Sequence, residues 1–237
     1  MASKTWFLML SGIALVTFGV VKGRGKEMSG EHHAKTAALQ ITATQTIDDF
    51  EGYHGALPIT PWPQCCGYMI TPWGDPKAGL QPSLSADVKE NGRYGLRLDY
   101  DIQPKRGYAM MGHLLNPMLN WSDWDGVRFW LKPDGSGRGI SFGFMEQPQA
   151  DGVKYFWWGD YPTIAGSDKP VWVVVPWSAF RLQATNGATQ HVMDRSHVEE
   201  RIFSVGGKSG PGTMFVDQIQ IIKSHNLGKA LIALPVR

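Results

Sequence analysis

Asp217 stands in the run Phe215-Val-Asp-Gln-Ile-Gln-Ile221, where simple alternation puts its carboxylate on the same side as Phe215, Ile219 and Ile221. A carboxylate on an apolar face needs a partner, and a calcium ion or an arginine would supply one. Aromatic side chains form the second group that could act on a ligand. Among ten tryptophans, Trp62 and Trp73 sit in a proline-rich loop with Tyr53 and Tyr68, and Trp157-Trp158 are followed by Tyr161. Exposed rings of this kind stack on the faces of sugars or anchor a protein interface, because a large rigid ring buries much area for little lost entropy. Trp124, Trp130, Trp172 and Trp177 read as core or sheet-face packing.

Catalysis leaves little trace. No H-E-x-x-H run is present, and Gly207-Lys208-Ser209 has Ile202 where a phosphate loop needs its first glycine. Gly135-Ser136-Gly137 lacks the nucleophile-elbow spacing. The fragment Asp123-Trp-Asp-Gly126 has Trp121 and Lys132 at the first and twelfth positions of a calcium loop, and so reads as a turn. Cys65 and Cys66 are neighbours and cannot staple distant segments, so no disulfide framework exists. Residues 1–45 carry five cations against two anions, within a net charge of +2. The near-neutral remainder lacks the cation clusters that displace phosphate counterions, which excludes nucleic acid as a partner. The expectation is a non-enzyme.

The elements that must position these groups are strands. The chain has 28 glycines and 15 prolines, a share above the ordinary ~12% that favours frequent turns over long helices. Leu96, Leu98, Tyr100 and Ile102 alternate with Arg97, Asp99 and Asp101, and period two returns at Val127, Phe129, Leu131 and at Ile140, Phe142, Phe144. Further strands are expected at 108–115, 153–158, 171–175 and 214–222, and the spacing of Val198 and Ile202 predicts one short helix over 191–202. Short strands between Gly and Pro turns indicate two packed sheets. At the N-terminus, Thr5–Val21 carries no charge and is followed by Lys22, Arg24 and Lys26. Seventeen residues is the lower limit for crossing about 30 Å of hydrocarbon, so residues 1–26 read as a single membrane-spanning helix or a signal segment.

Four motifs carry a family likeness: Ile47-Asp-Asp-Phe-Glu51; Trp121-Ser-Asp-Trp-Asp-Gly-Val-Arg-Phe-Trp-Leu-Lys-Pro-Asp-Gly-Ser-Gly137; Val171-Trp-Val-Val-Val-Pro-Trp-Ser-Ala-Phe180; and Phe215-Val-Asp-Gln-Ile219. In this order, across about residues 46–222, they resemble family 11 carbohydrate-binding modules and the related complex I intermediate-associated proteins. That resemblance implies an all-β, jelly-roll, galactose-binding-like sandwich. It also implies that the first and last strands adjoin, which would let Asp49 and Glu51 join Asp217 around a structural calcium ion. The second carboxylate of the paired Asp-Asp common in the last strand is replaced by Gln218 here, which weakens that ligand set.

The resulting organisation is an anchor or signal segment at 1–26, a linker at 27–45, the sandwich at 46–223 and an apolar C-terminal tail at 224–237. Two functions compete. The anchor, the aromatic loops and a tail bearing Leu231, Ile232, Leu234 and Val236 favour a structural or assembly subunit of a respiratory or photosynthetic membrane complex, with the sandwich on the periplasmic side. The alternative is an extracytoplasmic module that binds β-glucan-like polysaccharide, with Tyr53, Trp62, Tyr68, Trp73, Trp157, Trp158 and Tyr161 as its contact aromatics. No cofactor is expected apart from the calcium.

Overall fold

The computed structural model describes residues 39–61, 67–69, 79–147, 149–150, 152–163, 166–228 and 232–236, all within the compact unit Ala37–Arg237. The anchor expected at 1–26 lies outside them, as do Trp62, Cys65, Cys66, Trp73 and Leu231. No helix among the described residues is long and apolar enough to cross a membrane.

Among the described residues, thirteen strands form two antiparallel sheets. The seven-stranded sheet runs β13 (Ile232–Pro235), β9 (Val171–Pro176), β6 (Gly126–Lys132), β12 (Gly210–His225), β4 (Gly95–Ile102), β3 (Gln81–Ser85), with β1 (Gln40–Asp48) also paired to β12. The six-stranded sheet runs β10 (Arg181–Ala184), β8 (Tyr155–Pro162), β7 (Gly139–Glu146), β11 (Val198–Gly206), β5 (Tyr108–Leu119), β2 (Tyr68–Met69). Alternation drives one face of each strand inward. Phe129 of one sheet meets Phe142 and Phe203 of the other with ring centroids 6.1 and 5.6 Å apart, and Trp121 stacks on Trp177 at 5.9 Å. An all-β sandwich is therefore what the alternating runs encode.

Four expectations need correction. Residues 191–202 hold no helix: Val198 onward is β11, and a bulge between Val198 and Glu200 sends Val198 into the main core while Ile202 joins a cluster on the opposite face. A spacing of four serves a strand as well as a helix. Residues 40–45, read as linker, are the first part of β1. The tail has a place in the sandwich, because β13 pairs with β9 and covers an edge that would otherwise be open; Leu234 and Val236 are half-buried there. Finally, β12 is bulged between Asp217 and Gln220, with Gln218 at φ 50°. Met214 and Val216 point into the core before the bulge, and Ile219 and Ile221 do so after it. Asp217 thus shares the outer face with Phe215 and lies opposite the core face that Ile219 and Ile221 take after the bulge.

Candidate functional site

Alternation along β8 sorts its aromatic residues onto two faces. Trp157 and Tyr161 point inward and belong to the main core. The Trp157 indole N–H donates to Glu146 at 2.5 Å, and Glu146 also accepts from the Asp194 backbone N–H at 2.7 Å. These two rings are structural. Trp158, on the other parity, stands on the outer face of the six-stranded sheet.

Register builds a row across that outer face. Met69 pairs with Gly112, Gly112 with Ile202, Ile202 with Gly143, Gly143 with Trp158 and Trp158 with Arg181. Gly143 lacks the side chain that would lift the indole: a Cβ there would stand 2.7 Å from Cε3 and 2.8 Å from Cζ3 of Trp158. The ring therefore lies down on the backbone of β7. Met110, Met145, Phe156 and Ile202 form an apolar cluster beside it.

The next row brings polar groups together. Ser204 pairs with Ser141 and Ser141 with Asp160. The Ser141 hydroxyl donates to Asp160 at 2.5 Å, and Arg181 makes an ion pair with the same carboxylate. These residues, with Tyr108, Met110, Leu182 and Gln183, line a cleft of about 330 Å³. Its chemistry is a flat ring beside hydroxyl, carboxylate, guanidinium and amide groups. The negative face of an aromatic ring attracts the slightly positive C–H groups of a pyranose, while planar polar groups engage pairs of neighbouring hydroxyls. Asp160 shares parity with Trp158 two residues away, so it was legible in the sequence. Tyr108, Ser141, Arg181, Gln183 and Ser204 reach the cleft through strand register, for which the sequence carries no direct signal.

Tyr53 and Tyr68 lie elsewhere, in a buried polar cluster at the edge of the sandwich. Both hydroxyls donate to Asp48, at 2.7 and 3.0 Å, and Asp48 is ion-paired with Arg201 of the opposite sheet. Burial alone would raise the Asp48 pKa, but Arg201 and the hydrogen bonds overcome it and hold the carboxyl below the usual range. Burial pushes the Tyr53 phenol up to about 12. Burial and the Arg201 charge push His113 down to about 3, so its ring is neutral. Arg201 donates to His113 Nδ1 through Nε at 3.0 Å; because a guanidinium only donates, the imidazole proton sits on Nε2.

The three carboxylates read as calcium ligands have other duties. Asp217 accepts the backbone N–H groups of Glu90, Asn91 and Gln218 at 2.8, 3.2 and 2.7 Å. Burial pushes its carboxyl up to about 6 against those bonds. Glu51 accepts from the backbone of Arg93 and Tyr94 at 2.7 and 2.8 Å, and Asp49 from that of Glu51 at 3.2 Å. Among the described residues, no three acidic, histidine or cysteine side chains converge as a metal would require.

Two facing antiparallel sheets, with an open aromatic and polar cleft on one outer face, make a β-sandwich of the galactose-binding-like class. The sequence profile of the carbohydrate binding domain (family 11) matches residues 33–223. The chain belongs to that family. Among solved structures it is similar to the family 11 carbohydrate-binding module from Clostridium thermocellum in complex with a β-1,3-1,4-mixed-linked tetrasaccharide. Identity is 21% and the TM-score 0.53, over 76% of this chain and 95% of the other. The family 11 module of the Clostridium thermocellum cellulosomal cellulase Lic26A-Cel5E is similar at 20% identity and a TM-score of 0.52, covering 76% of this chain and 94% of that one. No curated protein matches the sequence.

These findings overturn the reading as an assembly subunit of a membrane complex. The family is a carbohydrate-binding one. Two supports of that reading also fail on structural grounds: the tail contributes a strand to the sheet, and Trp157 and Tyr161 are committed to the core.

Proposed function

We propose that this chain binds a β-glucan-like polysaccharide, laying a stretch of it along the outer face of the six-stranded sheet, outside the cytoplasm where such polymers occur. The observation that carries this reading is the seating of Trp158 flat over Gly143, beside the Ser141–Asp160–Arg181 group. The ring offers a stacking platform, and the polar row offers donors and acceptors at the level of the sugar hydroxyls. Mixed-linkage glucan is the natural first probe, given the tetrasaccharide held by the similar Clostridium thermocellum module.

Binding without cleavage is the expected activity. Glycoside hydrolysis ordinarily uses two carboxyl groups about 5–10 Å apart across the scissile bond, and Asp160 is the one carboxylate among the described residues lining this cleft. Electrophoresis through a gel containing mixed-linkage β-1,3-1,4-glucan tests the proposal. The wild-type chain should be retarded, and Trp158→Ala and Asp160→Ala should be retarded measurably less. A wild-type chain that is not retarded by this glucan or by cellulose derivatives would refute the reading.

A further inference from the structure

A second cavity, of about 610 Å³, opens at the sandwich edge between β1, the short 3-10 turn Glu51–Tyr53 and the C-terminal half of β5. It shares no lining residue with the outer-face cleft, and its volume falls within the range of small-ligand sites. Thr46, Asp49, Tyr53, His113, Asn116 and Arg201 supply its polar lining.

Two features of this cavity are costly to maintain without a purpose. Arg201 is only 4% exposed, and its Nη1 has no hydrogen-bond partner among the described residues, although Nε and Nη2 are engaged by His113, Asp48 and Tyr68. A buried charged donor left unpaired is destabilising. The turn carrying Tyr53 is flanked by Phe50 and His54 at φ 63° and 51°, left-handed conformations that side chains other than glycine rarely adopt. Strain of this kind collects at ligand sites, where the surrounding structure over-determines it.

The charge balance selects the ligand. Arg201 and Asp48 neutralise each other, and Asp49 leaves an anionic group on the wall, so an anion is disfavoured. Asp48 already accepts from Arg201, both tyrosines and the Phe50 backbone N–H, which leaves it no free capacity to attract a cation. The remaining groups are mixed. The donors are the Asn116 amide and the His113 proton placed on Nε2; the acceptors are Asp49 and the Asn116 carbonyl; and the Tyr53 ring is pinned by its hydroxyl. An uncharged molecule that both donates and accepts and has an apolar face matches this set.

We propose that the edge cavity is a second carbohydrate site, taking one or two pyranose units of an uncharged saccharide independently of the outer-face cleft. The ligand class rests on the function proposed above, but the site does not, and the two are separable. Isotope-labelled full-length chain is titrated with glucose, galactose, cellobiose and maltose, following the His113 imidazole and Asn116 amide signals by NMR. At least one of these sugars should move both signals saturably in the wild type and equally in Trp158→Ala. Thr46→Trp, at an exposed position on the cavity wall, should weaken that response at least tenfold while gel retardation by glucan persists.

Shifts at His113 and Asn116 without any glucan retardation would leave the edge site standing and remove the outer-face reading. If none of the four sugars moves either signal in the wild type, the edge-site proposal is overturned. It is equally overturned if Thr46→Trp folds with an unchanged Tm and the response is undiminished.

Discussion

Replacing Gly143 by alanine tests the seating of Trp158 without touching any group that would contact sugar. The added Cβ would stand 2.7 and 2.8 Å from two indole carbons and 3.1 Å from the Trp157 carbonyl oxygen. Carbon atoms in contact prefer about 3.5–4.0 Å, so the ring must lift by about 1 Å or tilt, since the backbone oxygen behind it cannot yield. Overpacking of this kind costs about 1–3 kcal/mol, offset in part by the roughly 0.5–1 kcal/mol that alanine gains over glycine in backbone entropy. The net loss of stability should be small. The effect on binding should be larger in relative terms: if a stacked contact contributes about 0.5–1.5 kcal/mol, a displaced platform weakens glucan binding roughly two- to tenfold. Isothermal titration with a mixed-linkage tetrasaccharide reads this, and a double-mutant cycle with Trp158→Ala isolates it. Once the indole is gone, Gly143→Ala should cost no further affinity. An affinity equal to wild type, or an equal loss in the two backgrounds, would refute the argument that the glycine acts through the ring.

Two further outcomes follow from groups outside the cleft. Glu200 is buried on the outer face against Gly112, and burial pushes its carboxyl up to about 7, with Lys154 pulling it down and Glu199 pushing it up. The folded chain therefore holds a proton that the unfolded chain has released between about pH 4.5 and 7, so stability falls as pH rises through that window, by roughly 3 kcal/mol. Glu200→Gln should flatten the dependence of Tm on pH between 4.5 and 8, leaving the smaller slope of the same sign that comes from Asp217; an unchanged profile would show that Glu200 stays ionised. Deleting 227–237 removes the four residue pairs that β13 makes with β9, at about 0.2–1 kcal/mol each. The truncated chain should lose about 1–4 kcal/mol in urea denaturation, and a midpoint identical to wild type would mean that β13 contributes nothing.

What could be read from the sequence differed by element for physical reasons. Strong alternation, as in Leu96–Ile102 and Val127–Leu131, survives into the structure because each such strand has one face in the core. The same rule, applied to Tyr155–Pro162, separates Trp158 and Asp160 from Trp157 and Tyr161. Treating the three aromatic residues as one platform ignored it. Bulges were not legible: Gln218 gives no warning of a left-handed backbone, yet the bulge reverses parity along β12 and turns Ile219 and Ile221 to the face opposite Asp217. Nor was the edge cluster, since Asp48 and Arg201 are 153 residues apart and meet only when the two sheets are stacked. The outer-face cleft is intermediate, with one aromatic and one carboxylate visible from parity and the rest assembled by register.

The sixteen residues of β12 serve three partners. The first part pairs with β4 and β6, and past the bulge the strand pairs with β6 and β1. This arrangement sets the order of events in folding. β1, near residue 40, has no ladder until β12, near residue 220, is available, and β4 and β6 lack their shared neighbour until the same moment. Loop-closure entropy over such separations must be overcome before the contacts repay it, which makes the sheet slow to form. During synthesis the six-stranded sheet can be complete once β11 has emerged, while the opposite sheet still lacks the strand between β4 and β6. The nascent chain then carries half a core, with Phe129, Leu96 and Leu98 lacking their final packing. Its most aggregation-prone interval is the time between the emergence of β11 and that of β12.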